Sequence, residues 1–188
     1  MNFPFLSSLI LLPLIGSFFI LITKSGKNTN NKSAKYVALF TSFSNFIISI
    51  YIWYIFDPYI FDFQFVENKS WINGFINYKV GIDGISILFI ILTTLISPLC
   101  IISVNKTVTN KLKEFLIAIL VMESLMIGVF CSLDLVIFYL FFEGGLIPMF
   151  LIIGIWGGSR RVYSAFKFFL FTLLGSVLML VAIISIFW

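Results

Sequence analysis

The chain has 188 residues, with 12 Lys or Arg against 8 Asp or Glu and no histidine. It is 61% hydrophobic and 11% charged, with a mean hydropathy of +1.12, whereas a soluble domain is about 25% charged. These values exclude a soluble globular domain, and the missing histidine removes the usual haem ligand, the commonest zinc ligand and the commonest general base.

Apolar runs of about 20 residues, the length at which a helix spans a hydrocarbon core, fall at residues 3–23, 36–56, 85–104, 115–133, 135–156 and 168–188. The expected fold class is an all-α polytopic membrane protein, a single transmembrane domain of about six helices. The 24 phenylalanines suit lipid-facing surfaces and interfacial belts. The first run has no basic segment ahead of it and no small-residue cleavage site, so it is expected to stay in the membrane rather than be removed as a signal peptide. Pro13 and Pro98, inside the first and third runs, free the carbonyls of Leu9 and Thr94 and read as packing kinks. Cys100 and Cys131 lie in separate runs without CxxC spacing and read as small packing thiols, with no iron–sulfur or nucleotide fingerprint beside them.

The first connection, near residues 25–33, is polar and flexible. The second, residues 57–81, alternates with strand period from Tyr59 to Phe65 and carries the turn pair Asn73-Gly74, so a short β-hairpin on the outer face is expected. Asp83 stands where the third helix should start and reads as its N-cap.

The odd connections hold Lys24, Lys27, Lys32 and Lys35, then Lys106, Lys111 and Lys113, then Arg160 and Arg161, with Lys167 at the entrance to the last run. That is 10 of the 12 basic residues. The even connections carry only Lys69 and Lys79, alongside Asp57, Asp62, Glu67, Asp83 and Asp134. The positive-inside rule puts the odd connections in a matrix or cytoplasm and both termini opposite. The +4 net charge is thus a topology signal, and the expected surroundings are membrane lipids, not nucleic acid.

Three ionisable residues inside the runs can carry chemistry. Glu143 lies in a stretch, residues 135–156, that has no other charge. An ionised carboxylate at that depth costs at least about 2.5 kcal/mol, which by default marks an ion or proton pathway. Pro148 frees the Gly144 carbonyl, and a free carbonyl beside a carboxylate gives water a place to bind; the plainer alternative is a hydrogen-bonded clamp on a neighbouring helix. Glu123, midway along the preceding run, is either a relay partner at similar depth or an inter-helix clamp. Lys167 either snorkels to the interface or hands protons on. Arg160 and Arg161 read as topology anchors.

The blocks VGIDGIS (80–86), IGVFCSLDL (127–135), FFEGGLIPM (141–149), LIIGIWGG (151–158) and FKFFLFTLLGSVLML (166–180) resemble, in order, the antiporter-like membrane subunits of respiratory complex I, most closely the subunit 4 (bacterial chain M) branch. The first 80 residues agree mainly in hydropathy. The resemblance implies proton translocation driven by NADH-to-ubiquinone electron transfer, in the mitochondrial inner membrane, with the amino terminus on the intermembrane-space side and basic loops in the matrix. NAD, FMN, iron–sulfur clusters and ubiquinone would belong elsewhere in the complex, leaving no cofactor or metal in this chain. Within the family the fifth-helix glutamate is a pathway residue paired with a seventh-helix lysine; it corresponds to Glu143, and Glu123 corresponds to a fourth-helix carboxylate that many members carry.

The family normally has about 14 membrane helices built as inverted repeats, and the six runs here do not include the seventh-helix lysine. The expectation is therefore a split subunit, with a second polypeptide supplying later helices among other complex I membrane-arm subunits, or else a fragment of a longer product. A subunit of a multi-subunit cation/proton antiporter and a structural membrane-arm piece are the alternatives. Heavy use of Phe, Ile, Asn and Lys fits AT-rich codons and so a mitochondrial genome.

Overall fold

The structure, a computed structural model, describes residues 4–23, 31–72, 76–104, 108 and 111–187. Lys24, Lys27, Lys106, most of the polar first connection and the Asn73-Gly74 pair lie outside the described residues. The described residues form α1 (Phe5–Ile22), α2 (Asn31–Ile55), β1 (Gln64–Ile72), β2 (Ile76–Ile82), α3 (Gly84–Ser103), α4 (Leu112–Cys131), α5 (Leu135–Trp156) and α6 (Arg161–Phe187). All six helices are long and apolar enough to cross a membrane, and the chain is a multi-pass membrane protein.

Helix α6 begins at Arg161 rather than 168, and α2 at Asn31 rather than 36. Apolar runs report only hydrocarbon thickness, whereas a helix continues into the headgroup region through helix-compatible Lys, Arg and Ser. Alternating helix direction gathers Lys32, Lys35, Lys111, Lys113 and Arg161 at one end of the molecule. The hairpin β1–β2 closes the other.

Helices α1 to α4 pack around one another; α5 lies against α4, and among the described elements α6 packs on α5 alone. Two apolar clusters fill the four-helix part. One, at the hairpin end, includes Leu9, Ile52, Ile87, Ile90 and Ile127; the other includes Ile20, Ala38, Ile101, Leu116 and Leu120. Between them each helix contributes polar groups: Ser17 from α1, Ser42, Asn45 and Ser49 from α2, Thr94 and Ser97 from α3, Glu123 and Ser124 from α4, all buried. The interior is therefore layered along the helix axes, apolar, polar, apolar.

The helix ends are closed by charged or polar side chains, as orphan amides and carbonyls require. Asp83 caps α3 by accepting from the Ser86 amide at 2.7 Å, and Asp134 caps α5 through the amides of Val136 at 2.8 Å and Ile137 at 3.3 Å. Pro4, at the start of α1, has no capping oxygen. The hairpin supplies one: Glu67 accepts from the Leu6 amide at 2.9 Å, the Ser7 amide at 3.3 Å and the Ser7 hydroxyl. Tyr78, across the hairpin, touches the Ser7 hydroxyl at 3.1 Å, and its burial pushes the phenol above its usual pKa. At the far end of α1, Lys113 donates to the carbonyls of Leu21 at 2.8 Å and Thr23 at 2.7 Å.

The hairpin is antiparallel, pairing Glu67 with Val80 and Asn68 with Lys79, and shifts register near Phe65, whose φ of 52° is left-handed. It is joined to the α4–α5 turn by the Leu133 amide, which donates to the Lys79 carbonyl at 2.9 Å. Gly81 permits this approach, since a Cβ there would lie 2.7 Å from Leu133.

Candidate functional site

The polar layer puts Glu123 at the centre of the four-helix part, 2% exposed. Asn45 of α2, itself fully buried, donates from Nδ2 to Glu123 Oε1 at 2.8 Å. Ser97 of α3 stands close to the same carboxylate. Beside them the Ser49 and Thr94 hydroxyls bond across α2 and α3 at 2.8 Å, and Ser124 donates to the Ile10 carbonyl of α1 at 2.5 Å. Four helices thus meet through side-chain hydrogen bonds in a region where backbone groups are already used by their own helices.

Glu143 sits outside this layer, on α5. It is half-buried, and its Oε2 is shielded from solvent without a hydrogen-bond partner. Helix α5 runs unbroken past Pro148, and Gly144 lies against Leu125 of α4, where a Cβ would come to 3.3 Å. One turn away, Gly128 of α4 lies on the ring of Phe141. These contacts fix the depth of Glu143 at about residue 126 of α4, so the two carboxylates differ by roughly one helical turn, about 4.5 Å along the axis. They face different ways. Leu125 and Gly128 turn toward α5, while Glu123, 100° per residue around the same helix, turns toward α2 and α3. The carboxylates lie within about one turn of each other in depth but stand on opposite sides of α4.

Lys167 is exposed on α6, with Nζ 6.0 Å from the ring centre of Tyr163. Phe150 of α5 packs between Phe166 and Phe169, at ring separations of 5.5 and 5.4 Å, which places Lys167 level with Phe150. Glu143 is seven residues from that level, about 10 Å along α5. The structure therefore does not bring Lys167 to Glu143. Arg161 donates to the Ile155 carbonyl at 2.8 Å and closes the end of α5. Among the described residues no three His, Cys, Asp or Glu side chains gather where a metal ion could be held.

Asn45 and its neighbours on α2 were missed in reading the sequence. Ser42, Asn45 and Ser49 fall at i, i+3 and i+7, one face of a helix in an otherwise apolar run, and that spacing was the available signal.

A family model described as "NADH:quinone oxidoreductase/Mrp antiporter, TM" matches residues 132–188. NADH-quinone oxidoreductase subunit M of Rhodobacter capsulatus is 52% identical over 183 residues, covering 97% of this chain and 35% of that protein. NADH-ubiquinone oxidoreductase chain 4 of Marchantia polymorpha is 47% identical over 185 residues, covering 97% of this chain and 37% of that protein. Among solved structures, a chain of respiratory complex I from Thermus thermophilus with bound NADH superposes with a TM-score of 0.76 at 26% identity, over 95% of this chain and 35% of that one. The chain spans a little over a third of the length of these relatives. The sequence match across nearly its whole length and the shared helix arrangement agree, and both liken the chain to part of subunit M and chain 4 of NADH:quinone oxidoreductase.

Proposed function

We propose that the chain forms part of the proton-translocating membrane arm of a complex I-type NADH:quinone oxidoreductase. In this reading Glu143 takes up and releases the translocated proton, Glu123 holds a proton on the inner side of α4, and Lys167 serves the end of the path at the basic face. The observation that carries it is the solvent-shielded, unpartnered Oε2 of Glu143, on a helix with no other charge. A carboxylate kept at membrane depth without a structural hydrogen bond on that oxygen is poised to bind a proton or a partner cation.

Other membrane-arm subunits are the expected neighbours. The remaining length of the relatives, on this polypeptide or another, would bring the lysine that exchanges with Glu143. NAD, flavin, iron–sulfur and quinone chemistry is assigned to other subunits. The basic ends of the helices are assigned to the matrix side of a mitochondrial inner membrane by the positive-inside rule.

The test is Glu143→Gln in the assembled enzyme. Assembly and NADH oxidation by the redox arm should persist while protons moved per NADH fall. Unchanged pumping in a fully assembled variant would sink the reading. The matching family description also covers Mrp antiporters, so a cation/proton exchanger is the second reading. Purification in mild detergent without any redox subunit would favour it.

A further inference from the structure

Hydrogen-bond accounting in the polar layer points to a proton. Asn45 Nδ2 donates to Glu123 Oε1, and the Ser97 hydroxyl beside the same carboxyl gives its hydrogen to the Thr93 carbonyl at 3.1 Å, so Asn45 Oδ1 and Glu123 Oε2 are both left fully shielded and without a partner. These two orphans are the remaining heteroatoms of the same two side chains, and both are acceptors when the carboxyl is ionised. Two buried acceptors left unpaired are costly, and a hydrogen carried by one and accepted by the other would satisfy both.

We propose that Glu123 carries a proton on Oε2 and donates it to Asn45 Oδ1, closing a carboxylic acid–amide pair that makes the α2–α4 contact a proton-holding site. The amide supplies one hydrogen and the acid the other, so each group is at once donor and acceptor.

The surrounding charges agree. Helices α1 and α3 carry no Asp, Glu, Lys or Arg within Phe5–Ile22 and Gly84–Ser103. The lysines of α2, Lys32 and Lys35, lie ten or more residues before Asn45, about 15 Å or more along the axis. On α4, Lys113 and Glu114 lie nine or ten residues before Glu123, and Lys113 is already bonded to the end of α1. On α5 the one charged residue is Glu143, behind α4. No cation from any packed helix reaches Glu123, so an ionised form would stand uncompensated between two apolar clusters. Loss of the proton would set two acceptors against each other, so that release requires Asn45 to rotate or α2 to move.

This deepens the assignment of Glu123 to the proton path, and its test reads the proton itself rather than pumping. Infrared difference spectra of the membrane-embedded complex are recorded at neutral pH in H2O and D2O for wild type and for Glu123→Gln. The expected result is complete loss, in the variant, of a deuterium-sensitive C=O band of a hydrogen-bonded neutral carboxyl. Loss of ionised-carboxylate bands instead overturns the proposal. Asn45→Leu should move the neutral band to higher frequency, because the bond to Oδ1 is gone, and Asn45→Gln should restore it part of the way. A band untouched by Asn45→Leu overturns the pair. If Asn45→Leu does not accumulate, Asn45→Gln alone decides: its longer amide must shift the band, and an unshifted band refutes the pairing. The Glu123→Gln protein keeps both bonds as an amide–amide pair and should assemble fully. Should it lose the band and still pump normally, the pair stands and the pathway role of Glu123 falls.

Discussion

Glu67 of the hairpin accepts from the Leu6 amide at 2.9 Å, so the first helix is capped by a residue 61 positions further along the chain. Pro4, at the local capping position, has no side-chain oxygen. The carboxylate also meets the positive end of the α1 dipole, which adds to the bond. Removing it exposes the orphan amides of α1 and takes away the hairpin's bond to that helix, leaving its tie to the α4–α5 turn. Glu67→Ala should therefore lower stability by about 1–2 kcal/mol, seen as a lower Tm of the detergent-solubilised complex, with Glu67→Gln retaining part of it. An unchanged Tm for Glu67→Ala would show that the contact contributes nothing.

The opposite end of α1 rests on Lys113, whose ammonium bonds the Leu21 and Thr23 carbonyls. Cations stabilise helix C-termini by about 0.3–1 kcal/mol when exposed. Lys113→Ala should cost about that much, and Lys113→Glu more. The same thermal melt checks this, with Lys69→Ala, on the hairpin, as the comparison expected to change little.

Asp83 gives a pH dependence. Hydrogen bonds from the Ser86 side chain, then from its backbone amide, hold the carboxyl below the usual aspartate pKa. A depressed folded value means that the cap stabilises above the unfolded pKa of about 3.9 and that this is lost as pH falls through the folded value. Asp83→Ala should thus cost about 1 kcal/mol at pH 7, and the gap to wild type should close from about pH 4 downward. A gap that is constant across that range contradicts the charged-cap account.

Gly128 lies on the Phe141 ring at the α4–α5 contact, with no room for a Cβ. Gly128→Val should force the helices apart and cost about 1–3 kcal/mol or more. Because this contact also sets the depth of Glu143 against α4, the pumping proposed for the chain should fall with stability. Phe141→Leu on the Gly128→Ala background should recover part of both; failure of that rescue would place the strain elsewhere.

The all-α membrane class and the six helices were legible because 20-residue apolar runs report bilayer thickness directly. Glu143 was legible for the same reason, as a lone charge in such a run. The first turns of α2 and α6 were not, since hydropathy is silent once a helix leaves the hydrocarbon. Nor were the long-range bonds: Glu67 to Leu6 and Asn45 to Glu123 join segments 61 and 78 residues apart. Local pattern cannot specify which distant helix face arrives opposite a given side chain. Depth along each helix was roughly readable, and the carboxylates lie within about one turn of each other. Azimuth was not, and it sends Glu123 and Glu143 to opposite sides of α4.

The separation of 78 positions from Asn45 to Glu123 also sets a waiting time. During synthesis at about 5–20 residues per second, α2 reaches the membrane some 4–16 seconds before α4 can offer its carboxyl. Through that interval an amide destined for full burial has no permanent partner, and bare lipid is a poor host for it. The Ser49–Thr94 bond gives α2 a polar tie to α3 that does not depend on α4. The polar layer is thus complete only when α1 to α4 are all present, which makes the four helices one unit of assembly.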